Sequence, residues 1–323
     1  MQRDILEFER PVVELETKIH ELRELASTKG MDVTRELESL EKQADRLLSE
    51  VYSNLSAWQR VQLARHPRRP YTLDYIRLVC AEFTELHGDR QFGDDRAIVG
   101  GMALLCGRQV MVLGHQKGRD TKENLLRNFG MPHPEGYRKA LRFMQLAGKF
   151  SRPIVTFVDT PGAYPGVDAE KRGQFEAIAR NLREMVRIPV PIVVVIIGEG
   201  GSGGALALAV GDRILMLENS IYSVISPEGC AAILWGDRAQ APRAAEALRL
   251  TARDLEKQQL VDRVVEEPKG GAHRDPEAMG VILERTIGEE LERLEGVPTE
   301  SLLETRFEKY MHMGVFSDAE TPL

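Results

Sequence analysis

The first part of the chain carries apolar residues at the spacing of an α-helix. One set comprises Val12, Leu15, Ile19, Leu22 and Leu25, and a second set comprises Leu37, Leu40, Ala44, Leu47 and Val51. Spacings of three and four residues place each set on one helical face. Gly30 separates the two sets, and a proline-containing segment at 66–70 follows the second. The pattern predicts a helical hairpin arm over residues 1–66, acting as a scaffold or oligomer contact, and a second domain over 67–323.

From residue 97 onward the apolar residues form short continuous runs. The segments 153–158 and 191–197 are almost entirely β-branched, which is typical of strands that are buried on both faces of a parallel sheet. Further strands are predicted at 97–105, 109–114, 213–217 and 221–225. Helical patterns are predicted at 137–149, 174–187, 205–210 and 276–294. This alternation predicts βαβ units and an α/β fold.

Composition and charge exclude several classes of protein. The chain has 323 residues, of which 42% are hydrophobic and 29% charged, as in globular rather than disordered proteins. Its net charge of −7 argues against a protein that coats nucleic acid. Its three cysteines, Cys80, Cys106 and Cys230, are too far apart for a CxxC zinc or redox motif. The histidines show no metal-ligand spacing, so no metal site is predicted. A charged N-terminus and no apolar run of membrane-spanning length favour a cytoplasmic location.

A glycine-rich segment, GEGGSGG at 198–204, follows the predicted strand 191–197 and fits two enzyme motifs. Gly198, Gly200 and Gly203 fit the dinucleotide fingerprint GxGxxG, with Glu218 as its acidic ribose contact. The fingerprint usually opens its fold, however, whereas this segment comes after several β/α units. Gly200, Ser202 and Gly204 also fit the nucleophile motif GxSxG. In that interpretation the remaining triad members are Asp262 and His273, but no HGGG-type loop precedes the serine.

A third interpretation assigns the glycine-rich segment a role through its backbone. Amides without neighbouring Cβ atoms approach a ligand oxygen closely, and N–H groups at the start of a helix favour negative charge. A pair of such N–H groups forms an oxyanion hole. A tight structural turn remains the alternative, and a Walker phosphate loop is excluded because no GK[ST] follows.

Two further segments suggest a ligand site. The sequence DTPGAYPG at 159–166 follows the strand predicted at 153–158, so it leaves the same edge of the sheet as the glycine-rich segment. The two loops are therefore expected to line one cleft, although a structural turn is the alternative. Residues 117–142 carry seven basic and three acidic side chains within an acidic chain. This reversal of sign indicates an anionic ligand or partner, or else a solvated helical face.

Taken together, these blocks resemble a known family. The blocks are RPYTLDYIRL (69–78), AIVGG (97–101), GHQKGR (114–119), NFGMPHPEGYRKALR (128–142), DTPGAYPG (159–166), AIARNLREM (177–185), GEGGSGGALAL (198–208) and YSVISPEGCAAILW (222–235). They resemble the carboxyltransferase α subunits of bacterial acetyl-coenzyme A carboxylase, from Phe8 to about Arg306. The resemblance implies a crotonase-like (ClpP-type) spiral of ββα units. It also implies transfer of a carboxyl group from carboxybiotin to acetyl-CoA, which forms malonyl-CoA for fatty-acid synthesis.

The resemblance also implies which residues form the site. Gly203 and Gly204 correspond to the oxyanion-hole pair, and Gly200 and Gly201 shape the same turn. The substrate-binding residues implied are Thr160, Pro161, Gly162, Ala163, Tyr164, Lys117 and Arg119. In this chemistry Ser202 is a spacer rather than a nucleophile.

The resemblance further implies partners. The chain has no ATP-grasp segment and no Met-Lys-Met biotinylation motif, so biotin is expected on a separate biotin carboxyl carrier protein, loaded by biotin carboxylase. It has no four-cysteine zinc ribbon, so zinc is expected only on a β subunit that completes an α2β2 carboxyltransferase and holds most of the CoA. Nucleic acid and membrane are not predicted as partners. The alternatives are a self-sufficient crotonase-like hydratase or isomerase, a serine hydrolase, and a non-enzymatic scaffold.

Overall fold

The N-terminal residues form an antiparallel helical hairpin, as predicted. The computed structural model describes residues 5–29 and 32–314, so the predicted break at Gly30 lies outside the described residues. The hairpin consists of α1 (Arg10–Lys29) and α2 (Thr34–Ser53). An ion pair between Arg23 and Glu41 joins the two helices near the tip, and Phe8 packs edge-on against Tyr52 near the base. Contacts near both ends therefore hold α2 against α1 and against the residues that directly precede α1.

The next helix, α3 (Ala57–Ala64), is separate from the hairpin. It begins at a capping box in which Ser56 Oγ accepts from the amide of Gln59 and Gln59 Oε1 accepts from the amide of Ser56. Its buried face packs against the main domain through Val61 and Ala64, close to Ile221. The boundary predicted at residue 66 therefore lies just after a helix that attaches the arm to the main domain.

The main domain alternates strands and helices, with bounds as follows: α4 (Thr72–Val79), β1 (Ala81–Glu85), β2 (Ile98–Leu105), β3 (Arg108–His115), α5 (Thr121–Leu126), α6 (Pro134–Lys149), β4 (Ile154–Thr160), α7 (Val167–Lys171), α8 (Gln174–Met185), β5 (Ile192–Gly201), α9 (Ser202–Leu206), β6 (Arg213–Leu217), β7 (Ile221–Ser223), α10 (Pro227–Trp235), α11 (Ala241–Leu248), α12 (Ala252–Lys257), β8 (Arg263–Val265), α13 (Pro276–Leu294) and α14 (Thr299–Met311). The α/β class predicted from the alternation is confirmed.

The strands form one mixed sheet in the order β1-β2-β3-β4-β5-β6-β8. The first three strands are antiparallel neighbours, whereas every pairing from β3 to β8 is parallel. The strand β5 is long enough to pair with β6 along its first half and with β7 near its end. The carboxyl ends of β4 and β5 therefore lie side by side, with Thr160 opposite Gly200.

Both faces of the sheet are covered, which explains the continuous apolar runs. Alternate residues of β5, such as Val194 and Ile196, pack against α6 and α8 on one face. The intervening residues, such as Val193 and Val195, pack against α4 and α13 on the other face. All ten residues of β5 except Gly201 are buried. A strand with no solvent-facing side needs no polar alternation.

Some elements differ from the sequence prediction. The helix predicted at 205–210 begins earlier, at Ser202, and ends at Leu206, so the last three glycines of GEGGSGG lie at the junction of β5 and α9 or within its first turn. The strand predicted at 221–225 ends at Ser223, because a capped helix, α10, begins almost at once. No helix in the described parts of the chain is both long and apolar enough to cross a membrane.

Candidate active site

The two predicted site loops lie side by side at the carboxyl edge of the sheet. The first leaves β4 after Thr160, and the second passes from β5 into α9 at Ser202. Glycines allow the two loops to touch. A Cβ atom on Gly204 would lie 2.4 Å from the amide nitrogen of Ala163, and one on Gly201 would lie 2.2 Å from the carbonyl oxygen of Pro161. At these positions a side chain would push the two backbones apart.

The remaining glycines of the segment differ in how crowded they are. A Cβ atom on Gly200 would lie 2.6 Å from the ring of Tyr222, so this glycine lets β7 approach. By contrast, the nearest atom to a Cβ on Gly203 is a methyl carbon of Ile178 at 3.7 Å, an ordinary contact distance. Ser202 is exposed and has a positive φ of 50°. This conformation changes the direction of the backbone where β5 ends and α9 begins. The amides of Gly203 and Gly204 therefore lie in the first turn of α9, where helical N–H groups have no acceptor in the preceding turn.

The first loop is held by its own turn and by a neighbouring segment. Thr160 Oγ1 donates to the carbonyl oxygen of Gly162 at 2.7 Å, and the Gly162 amide donates back to Thr160 Oγ1 at 3.1 Å. The ring of Tyr164 stacks on that of His133 at 4.2 Å. The side-chain amide of Gln174 donates to the carbonyl oxygen of Tyr164 at 3.0 Å. These contacts give the loop a defined shape without a bound ligand.

The loops form two walls of a cleft of about 590 Å³. Of the residues predicted for the site, Pro161, Gly162, Ala163, Tyr164, Gly203 and Gly204 line it. The other walls come from α8, through Phe175 and Ile178, and from the segment 224–226 before α10. Thr160 is fully buried at the strand end, and Gly200 and Gly201 lie beneath the turn.

Lys117 and Arg119 lie outside this cleft, and both are engaged in contacts within the chain. Arg119 stacks its guanidinium 3.9 Å above the ring of Tyr71, pairs with Asp74 and donates to the carbonyl oxygen of Pro67 at 2.6 Å. A direct contact of these two side chains with substrate stays a prediction, and the structure supplies an internal role for each of them.

Lys117 is the centre of a buried charge network beneath the two loops. Its Nζ lies 2.6 Å from Asp159 Oδ1 and 3.2 Å from Glu199 Oε2. Asp159 Oδ1 also accepts from the amide of Glu199 at 2.9 Å, which ties the two strand ends together. Arg65 extends the network by pairing with Glu199 at 2.6 Å and with Glu228 at 2.5 Å. The network therefore joins β3, β4, β5, the end of α3 and α10.

The network shifts the pKa values of Lys117 and Glu199 in the direction that keeps both groups ionised. Burial alone would lower the pKa of Lys117, but the carboxylates of Asp159 and Glu199 outweigh burial and raise the pKa. Burial alone would raise the pKa of Glu199, but Lys117 and Arg65 outweigh it and lower the pKa. For Lys117 and Glu199 the oppositely charged partners therefore offset the effect of burial and favour the charged form.

The basic stretch 117–142 is largely neutralised within the chain. Besides Lys117 and Arg119, three of its cations form ion pairs: Arg127 with Glu123, Arg138 with Asp89 and Lys139 with Asp94. Arg142 donates to two backbone carbonyls of the segment 87–88. Three of the seven cations, those on α6, therefore fasten the segment 87–95 to that helix, and an anionic ligand is not needed to explain them.

The structure does not assemble the catalytic triad of the hydrolase alternative. Nε2 of His273 lies 3.0 Å from Glu9 of the arm, and its Nδ1 has no hydrogen-bond partner among the described residues. Asp262 accepts from Lys309 at 2.5 Å and from the amide of Ile214 at 2.6 Å. Neither residue is bonded to Ser202. Glu218, the acidic residue of the dinucleotide alternative, lies near Arg60 and the amide of Glu267.

His273 belongs instead to a buried cluster that attaches the arm to the main domain. The ligand-type atoms of Glu9, His66 and His273 lie within 4.8 Å of one another. The carboxylate of Glu9 accepts from Tyr52 at 2.6 Å, and the ring centroids of His66 and His273 lie 4.1 Å apart with the rings tilted by 39°. Because Glu9 Oε1 already contacts both Tyr52 and His273, we interpret this cluster as a hydrogen-bonded tether. The prediction of no metal in this chain stays a prediction.

Sequence reasoning missed the polar residues that support the loops. Asp159 and Glu199 stand inside the motifs DTPGAYPG and GEGGSGG, and His115 precedes Lys117 in GHQKGR. Arg69 is fully buried, donates to the carbonyl oxygen of Ile197 at 2.7 Å and pairs with Glu267. The only signal in the sequence for this supporting role is a charged residue at the end of a predicted buried strand, as at Asp159 and Glu199. It did not show which partner each charge would have.

Comparisons with known proteins identify relatives for the whole described chain. The sequence model of a family described as acetyl co-enzyme A carboxylase carboxyltransferase-like matches residues 5–314. The acetyl-coenzyme A carboxylase carboxyl transferase subunit alpha of Geobacter metallireducens is 60% identical over 313 residues, which cover 97% of this chain and 98% of that protein.

Solved structures share the fold at much lower identity. Transcarboxylase 12S, solved with methylmalonyl-coenzyme A and methylmalonic acid, matches with a TM-score of 0.55 at 19% identity, over 79% of this chain and 44% of that one. The beta subunit of geranyl-CoA carboxylase from P. aeruginosa matches with a TM-score of 0.55 at 18% identity, over 81% of this chain and 48% of that one. The predicted crotonase-like fold is confirmed by these likenesses.

Proposed function

Because this chain belongs to the acetyl co-enzyme A carboxylase carboxyltransferase-like family, we propose that its two loops form the oxyanion-stabilising half of a carboxyltransferase site. The chain is a carboxyltransferase subunit alpha of acetyl-CoA carboxylase. The reaction moves a carboxyl group from carboxybiotin to acetyl-CoA and yields malonyl-CoA. In this proposal the chain contributes to the transfer through backbone groups of the two loops.

The reaction needs stabilisation of negative charge more than it needs a side-chain nucleophile. The bond between the carboxyl carbon and the biotin nitrogen breaks, and a bond from that carbon to the acetyl methyl carbon forms. The methyl group loses a proton, which the released biotin nitrogen takes up. Charge develops on the thioester oxygen as the enolate forms, and on the ureido oxygen as biotin departs. Fixed N–H donors aimed at such an oxygen lower the barrier by roughly 2.7–4 kcal/mol per donor.

We assign these donors to the backbone N–H groups of Gly203 and Gly204. The observation that carries the assignment is their place in the first turn of α9, on the wall of the cleft between the two loops. Gly201 and Gly204 allow the loops to touch, and Gly200 allows β7 to approach the same turn. Gly200 and Gly201 therefore act by shaping the site rather than by binding.

The first loop provides the surface against which a substrate would lie. Pro161, Gly162, Ala163 and Tyr164 line the cleft opposite α8, and Thr160 closes the turn beneath them. We propose that this loop contacts substrate through its backbone and the ring of Tyr164. Contact of Lys117 and Arg119 with substrate stays part of the proposal, and both charges are also paired within the chain.

The cleft is bordered by an exposed apolar surface that suits a partner subunit. We name this surface the apolar rim and define it by Val167, Phe175, Val224, Ile233 and Leu234, each with at least 61% of its area exposed. Phe175 and Val224 line the cleft, and the other three lie on α7 and α10, the helices that follow the lining segments. Large exposed apolar patches mark interaction sites. We propose that the β subunit docks here, so that its half of the site faces Gly203 and Gly204. The α2β2 stoichiometry and the β-bound zinc rest on the family resemblance.

The biotin carboxyl carrier protein and biotin carboxylase complete this proposal. The carrier must bring carboxybiotin to the cleft, and acetyl-CoA must reach the same place from the β side. No group is proposed to be bound covalently to this chain. A cytoplasmic location, and the division into an arm over 1–66 and a carboxyltransferase domain over 67–323, belong to the same proposal.

One assay tests the division of labour. The chain is mixed with its β subunit, acetyl-CoA and a carboxybiotin donor, and malonyl-CoA is measured. We expect little product from either chain alone and full activity from the mixture. Malonyl-CoA formation by the chain alone would overturn the shared site. Biotin-independent turnover of an acyl-CoA or ester substrate would favour the hydratase, isomerase or hydrolase alternatives, and no turnover by the folded mixture would favour a scaffold.

A further inference from the structure

A buried histidine lies directly beneath the proposed oxyanion turn. His115 is the last residue of β3 and is fully buried. Its Nε2 lies 3.2 Å from the carbonyl oxygen of Gly204. This bond connects the end of β3 to the first turn of α9, which lie far apart in the sequence. The proposed carboxyl-transfer chemistry makes no use of the His115 side chain.

The bond with His115 replaces one that a longer helix would supply. In a continuing α-helix the amide of Leu208 would donate to the carbonyl oxygen of Gly204. Here the Leu208 amide donates to the carbonyl oxygen of Ala205 at 3.0 Å, and the Ala207 amide donates to the carbonyl oxygen of Gly203 at 3.1 Å. Neither amide donates to the carbonyl oxygen of Gly204. The helix tightens and ends at this point, so Gly204 receives its hydrogen bond from the imidazole.

The imidazole is held in the state that can make this bond. Burial lowers the pKa of His115 to about 3, so the ring is neutral near pH 7. A neutral imidazole carries one N–H, and a carbonyl acceptor requires that proton on Nε2. Nδ1 then carries a lone pair, and it has no hydrogen-bond partner among the described residues. The backbone carbonyl of Phe157 also acts on the ring, but Nδ1 makes no hydrogen bond of normal geometry, so we assign the single N–H to Nε2 and Gly204.

The backbone that carries the ring is also fixed. Thr72 of α4 donates its hydroxyl to the carbonyl oxygen of His115 at 2.5 Å. A Cβ atom on the preceding residue, Gly114, would lie 2.5 Å from the carbonyl oxygen of Phe157, so β3 approaches β4 as closely as a glycine allows. The backbone at the end of β3 is therefore held in place, and the imidazole extends from it to α9, a five-residue helix with few internal hydrogen bonds.

We propose that His115 is a positioning residue for carboxyl transfer: its Nε2–H holds the carbonyl of Gly204 and thereby aims the amides of Gly203 and Gly204 into the cleft. The inference rests on the proposed function, because it assigns His115 a role in that same turn. In this proposal His115 neither transfers a proton nor contacts substrate. Its effect should appear in kcat, since the charge it helps to stabilise develops only in the transition state.

The test compares four variants of the chain, each assembled with the β subunit. His115→Gln retains an amide N–H near the place of Nε2, whereas His115→Phe has no donor. His115→Asn carries its amide nearer the place of Nδ1, too short to reach Gly204. Thr156→Val is the matched control, because Thr156 donates its buried hydroxyl to Leu208 at 2.8 Å, in the same segment but beyond the oxyanion turn.

We expect His115→Phe and His115→Asn to lower kcat roughly 10- to 100-fold with a small change in KM for acetyl-CoA, as displaced catalytic geometry does. His115→Gln should recover most of kcat, and its kcat–pH profile should match that of the wild type. Circular dichroism and size-exclusion chromatography establish that each variant folds and assembles.

Four results would overturn the inference while leaving the proposed function intact: unchanged kcat in the folded Phe and Asn variants, an equal loss of kcat in Thr156→Val, no recovery in His115→Gln, or the loss of one limb of the pH profile in His115→Gln. The last result would make His115 an acid or base. Failure of the wild-type mixture to form malonyl-CoA would instead overturn the proposed function.

Discussion

The ammonium nitrogen of Lys117 lies 2.6 Å from Oδ1 of Asp159, the second-to-last residue of β4, which precedes the loop at 161–166. The same carboxylate oxygen accepts from the amide of Glu199 on β5. One buried ion pair therefore fixes the spacing of the two strands from which the site loops emerge. The stretch that looked like an anion-binding surface in the sequence contributes its first cation to this internal pair.

Replacing Lys117 by methionine should destabilise the protein. The substitution leaves Asp159 and Glu199 as two buried carboxylates without their shared cation, and breaking a buried pair in this way costs about 3–5 kcal/mol. Urea unfolding of the purified chain measures the change. Lys122→Met, at an exposed lysine of the same stretch, should change the free energy of unfolding little. A raised KM with unchanged stability in Lys117→Met would instead show that Lys117 binds substrate.

Gly204→Ala should impair the enzyme far more than Gly203→Ala does. A methyl group on Gly204 meets the backbone of Ala163 at 2.4 Å, whereas one on Gly203 meets only the side chain of Ile178 at 3.7 Å. We expect overpacking to cost Gly204→Ala about 1–3 kcal/mol and to lower kcat by separating the loops. Unfolding curves and kcat measured on both variants check this. Equal effects in the two variants would contradict the assigned contact between the loops.

Ser202→Ala should retain carboxyl transfer to within a few-fold. The hydroxyl has no triad partner among the described residues, and alanine tolerates the positive φ of 50° about as poorly as serine does, so the backbone is not altered further. Malonyl-CoA formation by the assembled enzyme is the measurement. Ser151→Ala, another serine at positive φ, controls for strain. Complete loss of activity in folded Ser202→Ala would revive the nucleophile interpretation.

The tether of the arm should weaken in acid. Burial alone would raise the pKa of Glu9, but hydrogen bonds from His273 and Tyr52 outweigh it and lower the pKa to about 2. A carboxyl group with a depressed pKa stabilises the fold above its unfolded-state pKa of about 4.5, and this stabilisation is lost as the pH falls toward 2. The difference in unfolding free energy between the wild type and Glu9→Gln should therefore shrink between pH 4.5 and 2. A difference independent of pH would contradict the tether.

Ile233→Glu should weaken association with the β subunit without unfolding the chain. Ile233 lies on α10 in the apolar rim and is 74% exposed, so a charge there is solvated in the free subunit but would be buried in a complex. Analytical ultracentrifugation of the mixed subunits measures the association. Val281→Glu is the control, since Val281 is 70% exposed on α13, which packs with α4 and does not line the cleft. Equal assembly of both variants would place the interface elsewhere.

Much of the fold was predictable because local patterns and tertiary packing agree. The β-branched runs at 153–158 and 191–197 predicted buried parallel strands, and both faces of β4 and β5 are covered by helices. The strand β1 was missed because it is a mostly exposed edge strand with little apolar signal. The start of α9 was placed too late, because glycines and a serine are weak helix formers and tertiary contacts hold them in a helix.

The sequence by itself determined the α/β architecture, the helical hairpin and the place of both site loops after buried strands, because these features depend on periodicity and on glycine. It also determined, through several long motifs, the family to which the chain is similar. Only the tertiary structure decided which charged side chains are paired within the chain. Lys117 and Arg119, which the sequence predicts to bind substrate, are each also paired with a carboxylate that is distant in the sequence. His115 gave no pattern of its own, since its role depends on a carbonyl 89 positions along the chain.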